Sequence, residues 1–76
     1  MELVEFTRLQ DDADGIVETA EYHGRLARVK VLRTAMGSRV AIEVDGETVE
    51  EWSDAAPPEE LIDRAESVAI RFLQQD

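Results

Sequence analysis

Arg39-Val40-Ala41-Ile42-Glu43-Val44-Asp45-Gly46-Glu47-Thr48-Val49 is the stretch that decides how this chain folds. Val40, Ile42 and Val44 alternate with Arg39, Ala41 and Glu43, a period of two that puts the apolar residues on one face of a strand. Asp45-Gly46 follows at once, and both residue types tolerate the positive φ that a two-residue hairpin turn demands. The spacing predicts a returning strand over residues 47–52, with Val44 opposite Glu47 and Ile42 opposite Val49. A hairpin with one apolar face needs further strands beside it and a cover above it.

The segments upstream supply the strands. His23-Gly24 predicts a second tight turn between two β-prone runs, residues 16–22 and 26–34, with Ala27, Val29 and Val31 on one face. Ala35-Met36-Gly37-Ser38 reads as the turn into residues 39–44. Leu3, Val4, Phe6 and Leu9 alternate imperfectly and predict a first strand over residues 2–9, followed by a polar loop over residues 10–15.

The cover comes from the other end. Pro57-Pro58 ends any ladder, and the second proline suits the first position of a helix. Leu61, Ala65, Val68 and Phe72, flanked by Ile62, Ala69 and Leu73, recur at helical spacing and predict an amphipathic helix over residues 58–74. Glu60 and Arg64, four apart, are expected to pair on its polar face. The fold class expected is therefore α+β: an antiparallel meander of four to five strands with one C-terminal amphipathic helix packed on one face. Residues 1–76 are expected to form one small domain.

Composition bounds what such a domain does. Among 76 residues there are 18 acids and 8 Lys or Arg, giving a net charge of −10; hydrophobic residues, 43% of the chain, suffice for one core and argue against disorder. A lone lysine beside seven arginines in so acidic a chain resembles proteins from cells that hold molar salt, where screening shortens electrostatic repulsion. A GC-rich genome produces the same Arg and Ala bias. With no cysteine, disulfides, thiolate metal sites and a thiol nucleophile are excluded. No apolar run approaches the ~18 residues of a membrane span and the N-terminus lacks a basic secretion start, so the expected location is the cytoplasm.

Catalytic groups are sparse. His23 lies in a predicted turn, and Ser38, Ser53 and Ser67 have no adjacent base. Carboxylate pairs such as Glu50-Glu51 arise from acid density alone. With no catalytic set and no cofactor motif, the chain reads as a non-enzymatic protein without a cofactor.

Three patterns point to binding. Residues 6–22 resemble half of an EF-hand: Gln10 stands at loop position one, Asp12 at three, Asp14 at five, Gly15 at the sharp turn, Val17 at the apolar eighth and Glu21 at twelve. The resemblance implies a Ca²⁺ site with Asp12, Asp14 and Glu21 as oxygen ligands. It departs from the pattern at Gln10, in lacking a partner hand, and in flanks that read as strands; a solvated loop accounts for the same residues.

The second pattern is a basic island. Residues 25–39 hold Arg25, Arg28, Lys30, Arg33 and Arg39 and no acid, a net of +5 between segments of −6 (residues 1–24) and −9 (residues 40–76). As a surface these five suggest phosphate contacts to nucleic acid. Alternatively, they neutralise Glu18, Glu21 and Glu43 on neighbouring strands. The third is Trp52, the one tryptophan, expected at the core edge or, if exposed, in a partner contact. Taken together, the sequence is read as a small acidic interaction module. It engages another protein or itself through an unpaired sheet edge, or acts as an inhibitor that imitates nucleic acid in a basic groove. Nucleic-acid binding by the island and weak divalent-cation binding by the acidic loop are the alternatives. No membrane partner is expected.

Overall fold

In the computed structural model, which describes residues 3–75, all four connections between strands are two-residue turns, and so the five strands form one antiparallel meander in chain order. The elements are β1 (Thr7–Asp12), β2 (Gly15–Tyr22), β3 (Arg25–Thr34), β4 (Gly37–Val44), β5 (Glu47–Asp54) and α1 (Pro58–Leu73). His23-Gly24 and Asp45-Gly46 take positive φ at both turn positions, 51° and 80°, then 52° and 87°. That is the backbone hand that matches the right-handed twist of the flanking strands. The Asp45 turn is further fastened to β3, because the Leu26 N–H donates to Asp45 Oδ1 (3.0 Å) while the Asp45 N–H donates to the Leu26 carbonyl (2.8 Å).

Strict alternation then builds the core. Ile16 and Ala20 of β2, Ala27, Val29 and Val31 of β3, and Val40, Ile42 and Val44 of β4 are all buried on one face. Leu61, Ile62, Ala65, Val68, Ala69 and Leu73 of α1 close over them, and Val4 joins from the N-terminal segment. Each buried Val, Leu or Ile among them contributes about 1.5–3 kcal/mol on leaving water, and each Ala less. α1 starts at Pro58 with no side-chain cap; Glu59 and Glu60 meet the positive end of its dipole and Arg71 the negative end. The helix lies mainly over β3 and β4 and less over β2. No described element covers the opposite face of the sheet.

The structure corrects the expected strand bounds at the N-terminus. β1 runs from Thr7 to Asp12, and Gln10, Asp11 and Asp12, expected in a loop, pair with Val17, Ile16 and Gly15. An edge strand accepts polar side chains because water reaches them, so only Ala13 and Asp14 are left to turn.

Two bulges reset which side chains face inward. On β5 the pairing expected for Ile42 with Val49 is replaced by Ile42 with Glu50, the register shifting between Ile42 and Glu43. The extra residue, Val49, reverses the facing of everything after it and brings Trp52 opposite Val40 on the helix side. On β1 the shift falls between Arg8 and Gln10. Leu9 is displaced to solvent, 59% exposed, and Arg8 instead faces inward opposite Glu18. Without that bulge Leu9 would take the inward place.

Candidate functional site

The uncovered sheet face is a broad surface over which no described element packs. Pairing places Gln10 and Asp12 of β1, Val17, Thr19 and Glu21 of β2, and Leu26, Arg28, Lys30 and Leu32 of β3 on it. β4 adds Arg39, Ala41 and Glu43, and β5 adds Glu51. Leu26 and Leu32, six residues apart on β3, are 47% and 40% exposed. Three cations and four carboxylates leave this face near neutrality, so almost all of the net −10 lies elsewhere.

The five cations of the basic island do not form one surface. Arg25 sits at the end of the sheet, where Nη1 donates to the carbonyls of Phe72 (3.0 Å), Leu73 (3.3 Å) and Gln75 (3.1 Å), and Nε lies 3.5 Å from Asp45. It caps the last turn of α1, where carbonyls lack helical partners. At the opposite end Arg33 donates to the Ala13 carbonyl (3.0 Å) and to Glu59 (3.2 Å). Lys30 and Arg39 lie on the open face in diagonal cross-strand pairs, Lys30 with Glu43 at 3.0 Å and Arg39 with Glu51. Arg28, exposed between Thr19 and Glu43, shares that face. Glu43 is thus neutralised from the island as the pairing reading expects, whereas Glu18 is paired from β1 by Arg8, 2.7 Å away.

The acidic residues of the EF-hand resemblance are also separated. Asp12 and Asp14 flank the first turn, where Asp12 Oδ1 accepts from the Asp14 N–H (2.9 Å) and from Gln10 Nε2 (3.1 Å). The Gln10 amide and the backbone N–H hold the Asp12 carboxyl below its ordinary range. Glu21 lies at the far end of β2, seven residues beyond Asp14, or roughly 23 Å along an extended strand. One ion cannot join all three. Among the described residues no group of three or more His, Cys, Asp or Glu is arranged to hold a metal.

Trp52 is half-buried beside the core, with the Arg64 guanidinium carbon 5.7 Å from its ring centroid. Arg64 also reaches Asp54 at 4.0 Å. A groove of about 380 Å³ between β5 and α1 is lined by Trp52, Arg64, Val68 and Arg71. Trp52 therefore belongs to the helix side and not to the open face. The hydroxyls are structural: Ser38, buried, donates to the Ala56 carbonyl (2.8 Å), and Ser67 donates to the Asp63 carbonyl (3.1 Å). His23 occupies its turn with its ring 4.3 Å from that of Tyr22.

Sequence reasoning missed one constellation. Glu18, 3% exposed, occupies an inward position of β2 between Ile16 and Ala20, and Glu66 approaches it from α1. The signal was present in the alternation, which assigns Glu18 to the core face.

No known protein family, curated protein or solved structure matches this chain.

Proposed function

We propose that this chain is a non-enzymatic association module whose open sheet face docks a second copy of itself. The observation that carries the reading is charge: in a molecule of net −10, this face combines exposed leucines with charge that nearly cancels. Two copies repel through every strongly acidic surface, so approach is least opposed here. The basic residues Arg28 and Lys30 lie on β3, and the acids Glu43 and Glu51 lie one and two strands away. A two-fold axis offset toward β4 therefore sets the cations of one copy over the acids of the other.

Size fits a weak dimer. Five strands about 4.8 Å apart and about 26 Å long present on the order of 600 Å², somewhat less than the ~800 Å² that each partner contributes to a standard interface. The test is NMR on the full chain over a concentration series. Amide shifts are expected to move on β3 and β4 around Leu26, Lys30, Leu32 and Ala41, and to stay fixed on α1. Leu32→Glu should suppress them. Shifts confined to α1 or β5, or none up to millimolar concentration, would overturn the reading. The salt dependence separates this reading from phosphate binding: added salt screens repulsion between acidic copies and strengthens the dimer, whereas contacts to nucleic acid weaken steeply.

A further inference from the structure

Burying a carboxylate is costly unless its oxygens are matched by donors. Glu18 meets that condition at one oxygen only. Oε2 accepts from Arg8 Nε at 2.7 Å, while Oε1 is buried without a hydrogen-bond partner among the described protein atoms. The group beside Glu18 on the helix is not a base but a second acid, Glu66 of α1, within hydrogen-bond reach.

We propose that Glu18 and Glu66 share one proton that ties the middle of α1 to β2, and that loss of this proton loosens the helix from the β1–β2 edge. The geometry supports it at three points. The vacant acceptor on Glu18 calls for an O–H donor, which a protonated Glu66 supplies. The bulge at Leu9 turns Arg8 inward, and its guanidinium balances the single negative charge that the acid pair retains. Arg8 is held in turn by Asp11 at 3.0 Å.

The surroundings favour the protonated form. Desolvation first, then the hydrogen bond and charge of Glu18, then the charge of Asp63 on the same helix, push the Glu66 carboxyl up to about 7, with Arg8 opposing. Asp63 on α1, Glu18 on β2 and Arg8 on β1 are the charged groups around it. A divalent cation is not the better occupant, because two carboxylates beside a guanidinium leave it one donor pair and a repelling charge.

The sign follows from proton counting. The unfolded chain releases the Glu66 proton near 4.5 and the folded chain near 7, so between these values the folded state binds more protons and stability falls as pH rises. Glu66 is partly exposed, and solvent screening reduces the effect to about a tenfold rise in the unfolding constant between pH 5 and 8.

The experiment is a ¹³C NMR titration of the side-chain carboxyls in the full chain, run beside urea unfolding at pH 5, 6, 7 and 8. A Glu66 midpoint near neutrality and a tenfold change in the unfolding constant are expected. Glu66→Gln keeps an N–H donor for Glu18 and should flatten the pH dependence. A Glu66 midpoint in the ordinary range near 4.5 would overturn the proposal, as would a native protein with no pH dependence in this window or an unchanged slope in Glu66→Gln. Should Glu66→Gln fail to fold, the native titration decides alone.

Discussion

Replacing Arg25 by alanine separates a structural cation from a solvated one. In the structure its Nη1 gathers three carbonyls at the end of α1 and its Nε faces Asp45, so a single side chain joins the helix terminus, the start of β3 and the β4–β5 turn. A hydrogen bond from a charged donor is worth about 1.5–3 kcal/mol when shielded, and the helix dipole adds about 0.3–1 kcal/mol. The side chain is 37% exposed and one nitrogen serves all three carbonyls, which reduces the sum to about 2 kcal/mol. A domain of this length holds only roughly 4–11 kcal/mol in total. Urea unfolding should show a midpoint lower by about 1.5–2 M, and a thermal scan a Tm lower by about 10 °C. Arg25→Lys, which keeps the charge but loses the planar fork, should recover less than half. A loss under about 0.5 kcal/mol in Arg25→Ala would refute the capping role and return Arg25 to the pool of cations free for phosphate.

Other consequences can be checked on the same material. Gly37 has φ 138°, and a Cβ there would stand 2.2 Å from the Asp54 carbonyl oxygen and 2.6 Å from Ala55 Cα. Gly37→Ala should cost about 3 kcal/mol or more, while Gly46→Ala, at φ 87° with nothing within 4 Å, should cost about 1 kcal/mol; equal losses would contradict the packing at the β3–β4 turn. Raising NaCl from 0.05 to 1 M should lift Tm by several degrees, because shortening the Debye length to about 3 Å screens repulsion in a chain of net −10. A falling Tm would mean that the attractive pairs outweigh it. Millimolar Ca²⁺ should shift Tm by less than about 1 °C, given the distance between Asp14 and Glu21. A large shift abolished by Asp12→Asn would establish a cation site at the first turn.

The sheet was legible where side-chain alternation and turn chemistry agree. Val40, Ile42 and Val44 point inward and Asp45-Gly46 turns as its residue types require. The helix was equally plain, since Leu61, Ala65, Val68 and Phe72 keep three-and-four spacing over about three turns. The bulges at Leu9 and Val49 were hidden, because a bulge is a long-range compromise that no local pattern announces. At Val49 it lets Trp52 reach the helix side in place of Glu51. At Leu9 it sacrifices a leucine to bring Arg8 to Glu18. The candidate surfaces were half visible for the same reason. The outward positions of Arg28 and Lys30 follow from alternation, and so does the removal of Arg25 and Arg33, which share the parity of Ala27, Val29 and Val31; what alternation does not announce is that these two serve α1 and the first turn. Likewise, six residues between Asp14 and Glu21 wrap an ion in a loop but span a sheet when extended.

Whether the near-neutral sheet face joins two copies is decided by sedimentation equilibrium of the full chain from about 10 μM to 1 mM in 0.1 M and in 1 M NaCl. The mass is expected to rise from 8.5 kDa toward twice that value, at lower concentration in the higher salt. Leu26→Glu with Leu32→Glu should stay monomeric while keeping the native circular dichroism. A mass of 8.5 kDa throughout, or a dimer indifferent to both substitutions, would contradict it.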